Sequence, residues 1–297
     1  MDGGATVVRE GRAKVNLYLR VVGRRPDGFH LLDSLVVFAD AADRIEASPS
    51  PSLVLEVDGP FAAALAREPP DSNLVLRAAR ALAGRAGVSP RARLRLVKNL
   101  PVAAGLGGGS TDAAAALRAL VDLWSLAMPE EELFDLAASL GADVPMCLAG
   151  RPALVSGVGE RVAPAPTLPA FGLLLVNPGV ASPTPEVFRA FAAARPAGAP
   201  YAPADPPRAG FRAAADLARA LAARGNDLTD AALSRAPAIG AALAALRGGS
   251  TCRYAAMSGS GATCFGIYDD AAAAAAAGAS ISAARPAWWV RAGVAGA

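Results

Sequence analysis

Strands and helices alternate along this chain in a way compatible with an α+β protein, and three observations carry that expectation. Apolar and polar residues alternate with a period of two through the first third. Helix-forming runs with start and stop residues separate the strands. A proline-rich stretch, residues 163–169, predicts a domain boundary, with one domain over 1–163 and a second over 164–297.

Taken in order, "AKVNLYL" sets Ala13, Val15, Leu17 and Leu19 against Lys14, Asn16 and Tyr18, which is a strand. Lys14 and Asn16 then share the face opposite the core. "GRRPDG" has the chemistry of a turn, and "FHLLDSLVVFAD" resumes an extended pattern. "DRIEAS" and "LVLEVDG" read as further strands. "DSNLVLRAARALAGRAG" is a helix with Asp71 and Ser72 as cap residues and Gly87 as its stop. "RARLRLV" alternates again and feeds a glycine-rich loop with a helix directly behind it. The next helix starts near Pro129, with Glu130, Glu131 and Glu132 at its positive end, and stops at Gly141. Asp143 lies in the connection that follows. Beyond the boundary, "FGLLLVNPG" is a buried strand and "SPTPEVFRAFAAA" enters a helix. "GNDLTDAAL" opens another, with Asn226 or Asp227 as its cap. "CRYAAMSGSGATCFGIY" reads as strand, glycine turn, strand. The alanine run from Ala271 is helix.

The 297 residues are 53% hydrophobic and 19% charged, a globular composition rather than a disordered one. The net charge of +3 is small and the arginines are scattered, so a nucleic-acid surface is not expected. Cys147, Cys252 and Cys264 have no metal-ligand spacing, which predicts reduced, buried thiols in a cytoplasmic protein. The first residues carry no apolar signal-like region, and the longest strongly apolar run is too short to span a bilayer. No membrane partner is expected, and oligomeric state is open.

The stretch "LPVAAGLGGGSTDAAAAL" asks what its glycines hold. Glycines permit positive φ and close approach of the backbone to a ligand. A helix opening behind them points unpaired N–H groups and a positive dipole end back at the loop. Those features suit a phosphate. It is not a P-loop, because no lysine follows the glycines, and the G-x-G-x-x-G register fails at Ser110. A plain surface turn is the bland alternative.

With that stretch come "AKVNLYLRVVGRRPDGFHLLDSLVVFAD", "LGADVPMCLAG", "GVGE", "NPGVASPTPEVF", "GNDL" and "MSGSGATCFGIY". In this order they resemble the GHMP small-molecule kinases, named for galactokinase, homoserine kinase, mevalonate kinase and phosphomevalonate kinase. Within that family they are similar to the branch acting on a cytidine diphosphate-linked methylerythritol in non-mevalonate isoprenoid synthesis. The resemblance runs from about residue 13 to 268 and is weak between 190 and 223. It implies a two-domain α+β fold, with a ribosomal-protein-S5-like N-terminal domain and a ferredoxin-like C-terminal domain. It also implies transfer of the ATP γ-phosphoryl group to a tertiary C2 hydroxyl, with Mg²⁺ accompanying ATP.

By the same resemblance, Pro101, Val102, Ala103, Ala104, Gly105, Leu106, Gly107, Gly108, Gly109, Ser110 and Thr111 wrap the ATP phosphates, with Leu106 packed inward. Asp143 becomes the catalytic base, and Lys14 holds it ionised and orients the attacking oxygen. Asn16 positions the substrate, His30 recognises cytosine, and Phe29 and Phe188 stack on the pyrimidine, with Thr184 a weaker candidate. No metal ligand is named. His30 is the sole histidine, which excludes a histidine triad or a two-histidine metal site. Three departures stand out: Ala103 and Ala104 where glycines are usual, Phe29 for a frequent tyrosine, and Thr111 for serine. Without the resemblance, Asp143 reads as a turn carboxylate, Lys14 as a solvated strand residue and the phenylalanines as core. Another GHMP kinase, for homoserine or a sugar, and a non-catalytic ATP-binding sensor are the competing expectations.

Overall fold

The computed structural model describes residues 5–66, 69, 72–196 and 198–296. It divides into two compact units that exchange the chain: residues to Ala13, Ala42–Val102 and Gly107–Gly150 form the first, and Lys14–Ala41, Ala103–Leu106 and residues from Arg151 form the second. Strands β1 (Val7–Arg24) and β2 (His30–Ser48) run from one unit into the other.

In the first unit the end of β2 pairs antiparallel with β4 (Arg93–Val97), which pairs parallel with β3 (Val54–Asp58). "DRIEAS" is thus the continuation of β2 rather than a separate strand. Leu94 and Leu96 are buried, while Arg93 and Arg95 on the opposite face pair with Glu56, Glu46 and Asp58. The sheet is covered by α2 (Leu74–Ala86), α3 (Gly108–Leu123), α4 (Glu130–Leu140) and a short α5 (Val144–Ala149), with α1 (Ala62–Leu65) a single turn. Asn73 caps α2 by accepting the Val75 N–H at 2.9 Å. The expected caps differ: Ser72 donates to the Pro69 carbonyl instead, and Asp71 lies outside the described residues. At the other end Gly87 takes φ +66°, as its stop role requires. Helix α3 buries Ala113, Ala114, Ala115, Ala116, Leu117, Ala119 and Leu120; so many small residues let neighbouring backbones approach closely. Pro129 precedes α4, with the three glutamates in its first turn. The connection after Gly141 is not open loop, because Val144 begins α5.

In the second unit the start of β2 pairs with β5 (Ala153–Gly157), which pairs with β6 (Arg161–Pro164). A second antiparallel sheet has the order β10-β7-β9-β8, with β7 (Phe171–Asn177), β8 (Tyr254–Met257), β9 (Cys264–Tyr268) and β10 (Trp289–Ala295). Every residue of β7 is buried, as expected of a central strand. Its helices are α6 (Thr184–Ala194), α7 (Ala214–Ala222), α8 (Thr229–Arg235), α9 (Ala238–Arg247) and α10 (Ala271–Ala284). Asp270 caps the alanine helix through the Ala273 N–H at 2.8 Å. Helix α8 has Leu228 at its N-cap, one or two residues later than expected: Asn226 Oδ1 accepts from Leu228 N at 2.9 Å in a preceding turn. Lys14 and Asn16 do sit opposite Val15 and Leu17 on β1, but that face is also covered. Lys14 is 8% and Asn16 5% exposed, which rules out a solvated strand face. No helix of the described residues is long and apolar enough to cross a membrane.

Candidate active site

The glycine-rich stretch is gripped by its carbonyls. Within the second unit, Ser182 N donates to Ala103 O at 3.1 Å and Thr263 N to Ala104 O at 3.1 Å. Ser258 Oγ donates to Gly105 O at 2.8 Å, and Lys14 N to Leu106 O at 2.9 Å. Four successive carbonyls are thereby spent on protein donors, so their negative ends are not left for an anion to meet. Gly105 has φ +74°, and a Cβ there would lie 2.3 Å from the Ser258 carbonyl oxygen. Only glycine fits that approach. Ala103 takes φ +51°, a left-handed conformation that costs a residue with a Cβ roughly 1–2 kcal/mol. Leu106 is fully buried and anchors the segment.

Within the first unit, Gly107 is the left-handed N-cap of α3, at φ 65° with no side-chain cap. The Ser110 and Thr111 N–H groups both point to Gly107 O, at 2.9 and 3.0 Å, and Thr111 Oγ1 donates to Gly108 O at 2.9 Å. The Gly108 and Gly109 N–H groups stand at the start of the helix, where no carbonyl of the same helix can reach them. Thr111 is buried, so its hydroxyl serves the helix turn. Pro101 and Val102 lead into the stretch, with Pro101 buried.

Asn16 donates from Nδ2 to Ser34 Oγ at 2.8 Å, and its backbone N–H donates to Ser258 Oγ at 3.1 Å. Its Oδ1 is buried with no protein partner. His30, at the start of β2, stacks on Phe188 of α6 with centroids 5.1 Å apart and rings inclined at 24°, and meets Phe191 edge-on. His30 Nε2 is likewise buried without a partner. Burial, then the nearby Arg24 and Arg195, hold the imidazole pKa below its usual value, so the ring is neutral at pH 7. Phe29 is 64% exposed, next in sequence to the half-buried His30. Thr184 Oγ1 is 2.8 Å from Ser260 Oγ. The structure therefore brings Asn16 and residues 103–106 onto the Ser258 turn, and His30 onto Phe188. Asp143, in the first unit, occupies the N-cap position of α5 (φ −84°) and makes no side-chain cap hydrogen bond.

The sequence matches the GHMP kinases N terminal domain over residues 73–151 and the GHMP kinases C terminal domain over 209–286. It is 54% identical over 281 residues to a 4-diphosphocytidyl-2-C-methyl-D-erythritol kinase of Paramagnetospirillum magneticum, covering 95% of each chain. The relative of the same name from Parvibaculum lavamentivorans is 51% identical, with 98% of each chain covered. A crystal structure of a 4-(cytidine 5'-diphospho)-2C-methyl-D-erythritol kinase superposes with a TM-score of 0.79 at 36% identity, covering 98% of this chain and 99% of that one. The chain belongs to the 4-diphosphocytidyl-2-C-methyl-D-erythritol kinase family of GHMP kinases. Its two-domain α+β fold is the GHMP fold that the motifs imply. The Methanococcus jannaschii mevalonate kinase shares that fold at a TM-score of 0.70 with only 11% identity, covering 99% of this chain and 98% of that one.

In this GHMP kinase the sequence reading overlooked supporting residues. Asn226 donates from Nδ2 to the Met257 and Gly259 carbonyls, both at 2.8 Å, and Asp227 Oδ2 accepts the Val21 N–H at 2.8 Å. The "GNDL" motif thus ties β1 to the Ser258 turn. Ser258 opens that turn, and its hydroxyl joins Asn16 to Gly105. A buried ion triad also went unread. Lys98 Nζ donates to Asp43 Oδ2 and, at 2.7 Å, to Asp112 Oδ2. A lysine ending a strand and an aspartate following "GGST" gave no periodic signal of being paired.

Proposed function

We propose that this chain transfers the γ-phosphoryl group of ATP to the C2 hydroxyl of 4-diphosphocytidyl-2-C-methyl-D-erythritol. Membership in the kinase family at 54% identity over nearly the whole length supports the reaction class and the substrate. The observation that carries the nucleotide role is local: the carbonyls of residues 103–106 are committed to the protein, and a glycine-capped helix starts directly afterwards. That arrangement suits residues 101–111 to triphosphate, by backbone N–H groups and the α3 dipole.

Asp143 accepts the proton of the C2 hydroxyl as its oxygen bonds to the γ-phosphorus and the bridge to the β-phosphate breaks, releasing ADP. Lys14 supplies positive charge to the attacking oxygen, and Asn16 offers its unpartnered Oδ1 to the alcohol side. His30, neutral and with Nε2 unpartnered, can donate or accept at a cytosine edge, while Phe188 fixes its ring and exposed Phe29 covers the base. Thr184 lines the same side. Mg²⁺ bound with ATP would neutralise phosphate charge; no cluster of three metal-ligating side chains occurs among the described residues, and hydrated Mg²⁺ carried by phosphates fits that donor set. We also propose the division 1–163 and 164–297, supported by family matches falling on either side. A cytoplasmic setting rests on the spacing of three free cysteines, of which Cys264 is buried as expected while Cys147 and Cys252 are only half-buried.

The test is ATP- and Mg²⁺-dependent ADP release with the cytidine compound, mevalonate, homoserine and galactose in parallel. Turnover with the cytidine compound alone is expected. Turnover with another alcohol would return Phe29, His30 and Phe188 to structural roles, and nucleotide binding without turnover would make the chain a sensor.

A further inference from the structure

Three charged side chains that the proposed reaction leaves unused lie beneath the start of α3, all in the first unit. Lys98 and Asp112 are 2% exposed and Asp43 is fully buried. Burial acts against the Lys98 charge, but Asp112 and Asp43 more than offset it and raise its pKa, so it is a cation. Burial pushes Asp112 up to about 8 against the pull of Lys98. A buried ion cluster seldom stabilises a fold more than well-packed apolar residues would. Its placement suggests what else it does.

Asp43 Oδ1 accepts two consecutive backbone N–H groups, Asn99 at 2.6 Å and Leu100 at 2.8 Å, the residues leading into Pro101. Its other oxygen accepts from Lys98 Nζ. The same ammonium reaches Asp112 Oδ2, on the fifth residue of α3. One cation therefore joins the incoming and outgoing ends of the glycine-rich stretch. Glycines seal the cluster above and below. A Cβ on Gly108 would lie 2.9 Å from Lys98 Nζ, and one on Gly11 would lie 2.9 Å from Asp112 Oδ1 and 3.1 Å from the Thr111 carbonyl carbon. The ammonium thus sits directly under the first residue of α3. Asp112 Oδ1 is buried with no hydrogen-bond partner, so Oδ2 carries the bond to Lys98.

We infer that Lys98, Asp43 and Asp112 are positioning residues that set the spacing between the two ends of the glycine-rich stretch and thereby its fit to the phosphates of ATP. The inference rests on the reading of residues 101–111 as the ATP loop. It predicts an effect on the nucleotide that is separate from stability and from the cytidine substrate.

Two variants test it in the full chain: Asp112→Asn, which keeps shape and removes the titratable carboxyl, and Lys98→Met with Asp112→Leu and Asp43→Asn, which leaves no buried charge and keeps an Oδ1 for the Asn99 and Leu100 N–H groups. The triple variant is expected to fold with a melting temperature within a few degrees of wild type. Both variants should raise KM for ATP about tenfold and leave KM for the cytidine substrate within about twofold. Unchanged ATP KM in folded variants, or equal rises in both KM values, would overturn the inference. Loss of folding in both variants would make the cluster a stability element and overturn it too. Amide exchange at residues 107–111 separates the two levels. If a non-hydrolysable ATP analogue fails to slow exchange in wild type, the loop reading itself falls. If it slows exchange equally in wild type and variants, only the positioning role falls.

Discussion

Replacing Gly105 by alanine probes whether the loop is built on backbone contact. At φ +74° a residue with a Cβ costs about 1–2 kcal/mol. The new methyl would stand 2.3 Å from Ser258 O and 2.9 Å from both Gly261 N and Gly261 O, all backbone atoms. That turn is held by the Ser258 N–H to Thr263 O bond, so it cannot yield like the end of a flexible side chain. Overpacking of this kind adds about 1–3 kcal/mol, for a total of about 2–5 kcal/mol. Gly109→Ala is the control: its methyl would meet only Leu74 Cδ1 at 3.5 Å, an ordinary contact. Alanine favours the helix by about 1 kcal/mol over glycine, so that variant should match or slightly exceed wild type. Urea unfolding followed by fluorescence of the three tryptophans measures both. A Gly105→Ala chain as stable as wild type, with unchanged KM for ATP, would refute the close-approach account.

Further outcomes follow from the other residues. Asp143→Asn should lower kcat by on the order of 10²-fold or more while ATP still binds, read from steady-state rates and nucleotide titration. With one histidine in the chain, its imidazole NMR signal needs no assignment, and the His30 midpoint should fall below 6.5. His30 therefore favours folding above that pH and loses its contribution as pH falls and the unfolded ring takes up a proton. His30→Ala should raise KM for the cytidine substrate far more than KM for ATP. For Asp112 the sign is reversed: its raised pKa keeps the proton in the folded state while the unfolded chain ionises. Wild-type unfolding free energy relative to Asp112→Asn should therefore fall between about pH 4 and 8 and level off above, measured by urea titration. A difference that rises with pH would contradict that burial effect.

Local signals made much of the fold legible. Period-two alternation located β1, β3 and β4, a continuous apolar run located β7, and Gly87, Gly141 and the glutamates after Pro129 bounded helices. Asn73 was missed as a cap because Asp71, Ser72 and Asn73 are chemically equivalent candidates, and only backbone geometry chooses among them. Helix α9 was missed in an alanine-rich run whose faces contrast little, and α7 was missed although Leu217 and Leu221 are buried and Asp216 and Arg219 form an ion pair at the surface. At the candidate site, the glycine stretch was legible through residue type, since positive φ and close approach both favour glycine. The long-range bonds that hold it have no sequence periodicity. Ser258 meets Gly105 across 153 residues and Lys98 meets Asp43 across 55, and such pairs become visible only once the chain has folded. The alanine at Ala103 looked like a stiffening departure from family pattern; its φ of +51° shows the local backbone keeping a glycine-like conformation.

The central claim is phosphorylation of a tertiary alcohol on a cytidine diphosphate-linked substrate. The most direct test incubates the chain with Mg²⁺, ATP and 4-diphosphocytidyl-2-C-methyl-D-erythritol and records the proton-coupled ³¹P spectrum. A tertiary ester carbon bears no hydrogen, so the account predicts a new phosphomonoester singlet growing in step with ADP while the cytidine diphosphate signals persist. ADP without that ester, or an ester resonance split by hydrogens on its carbon, would contradict it.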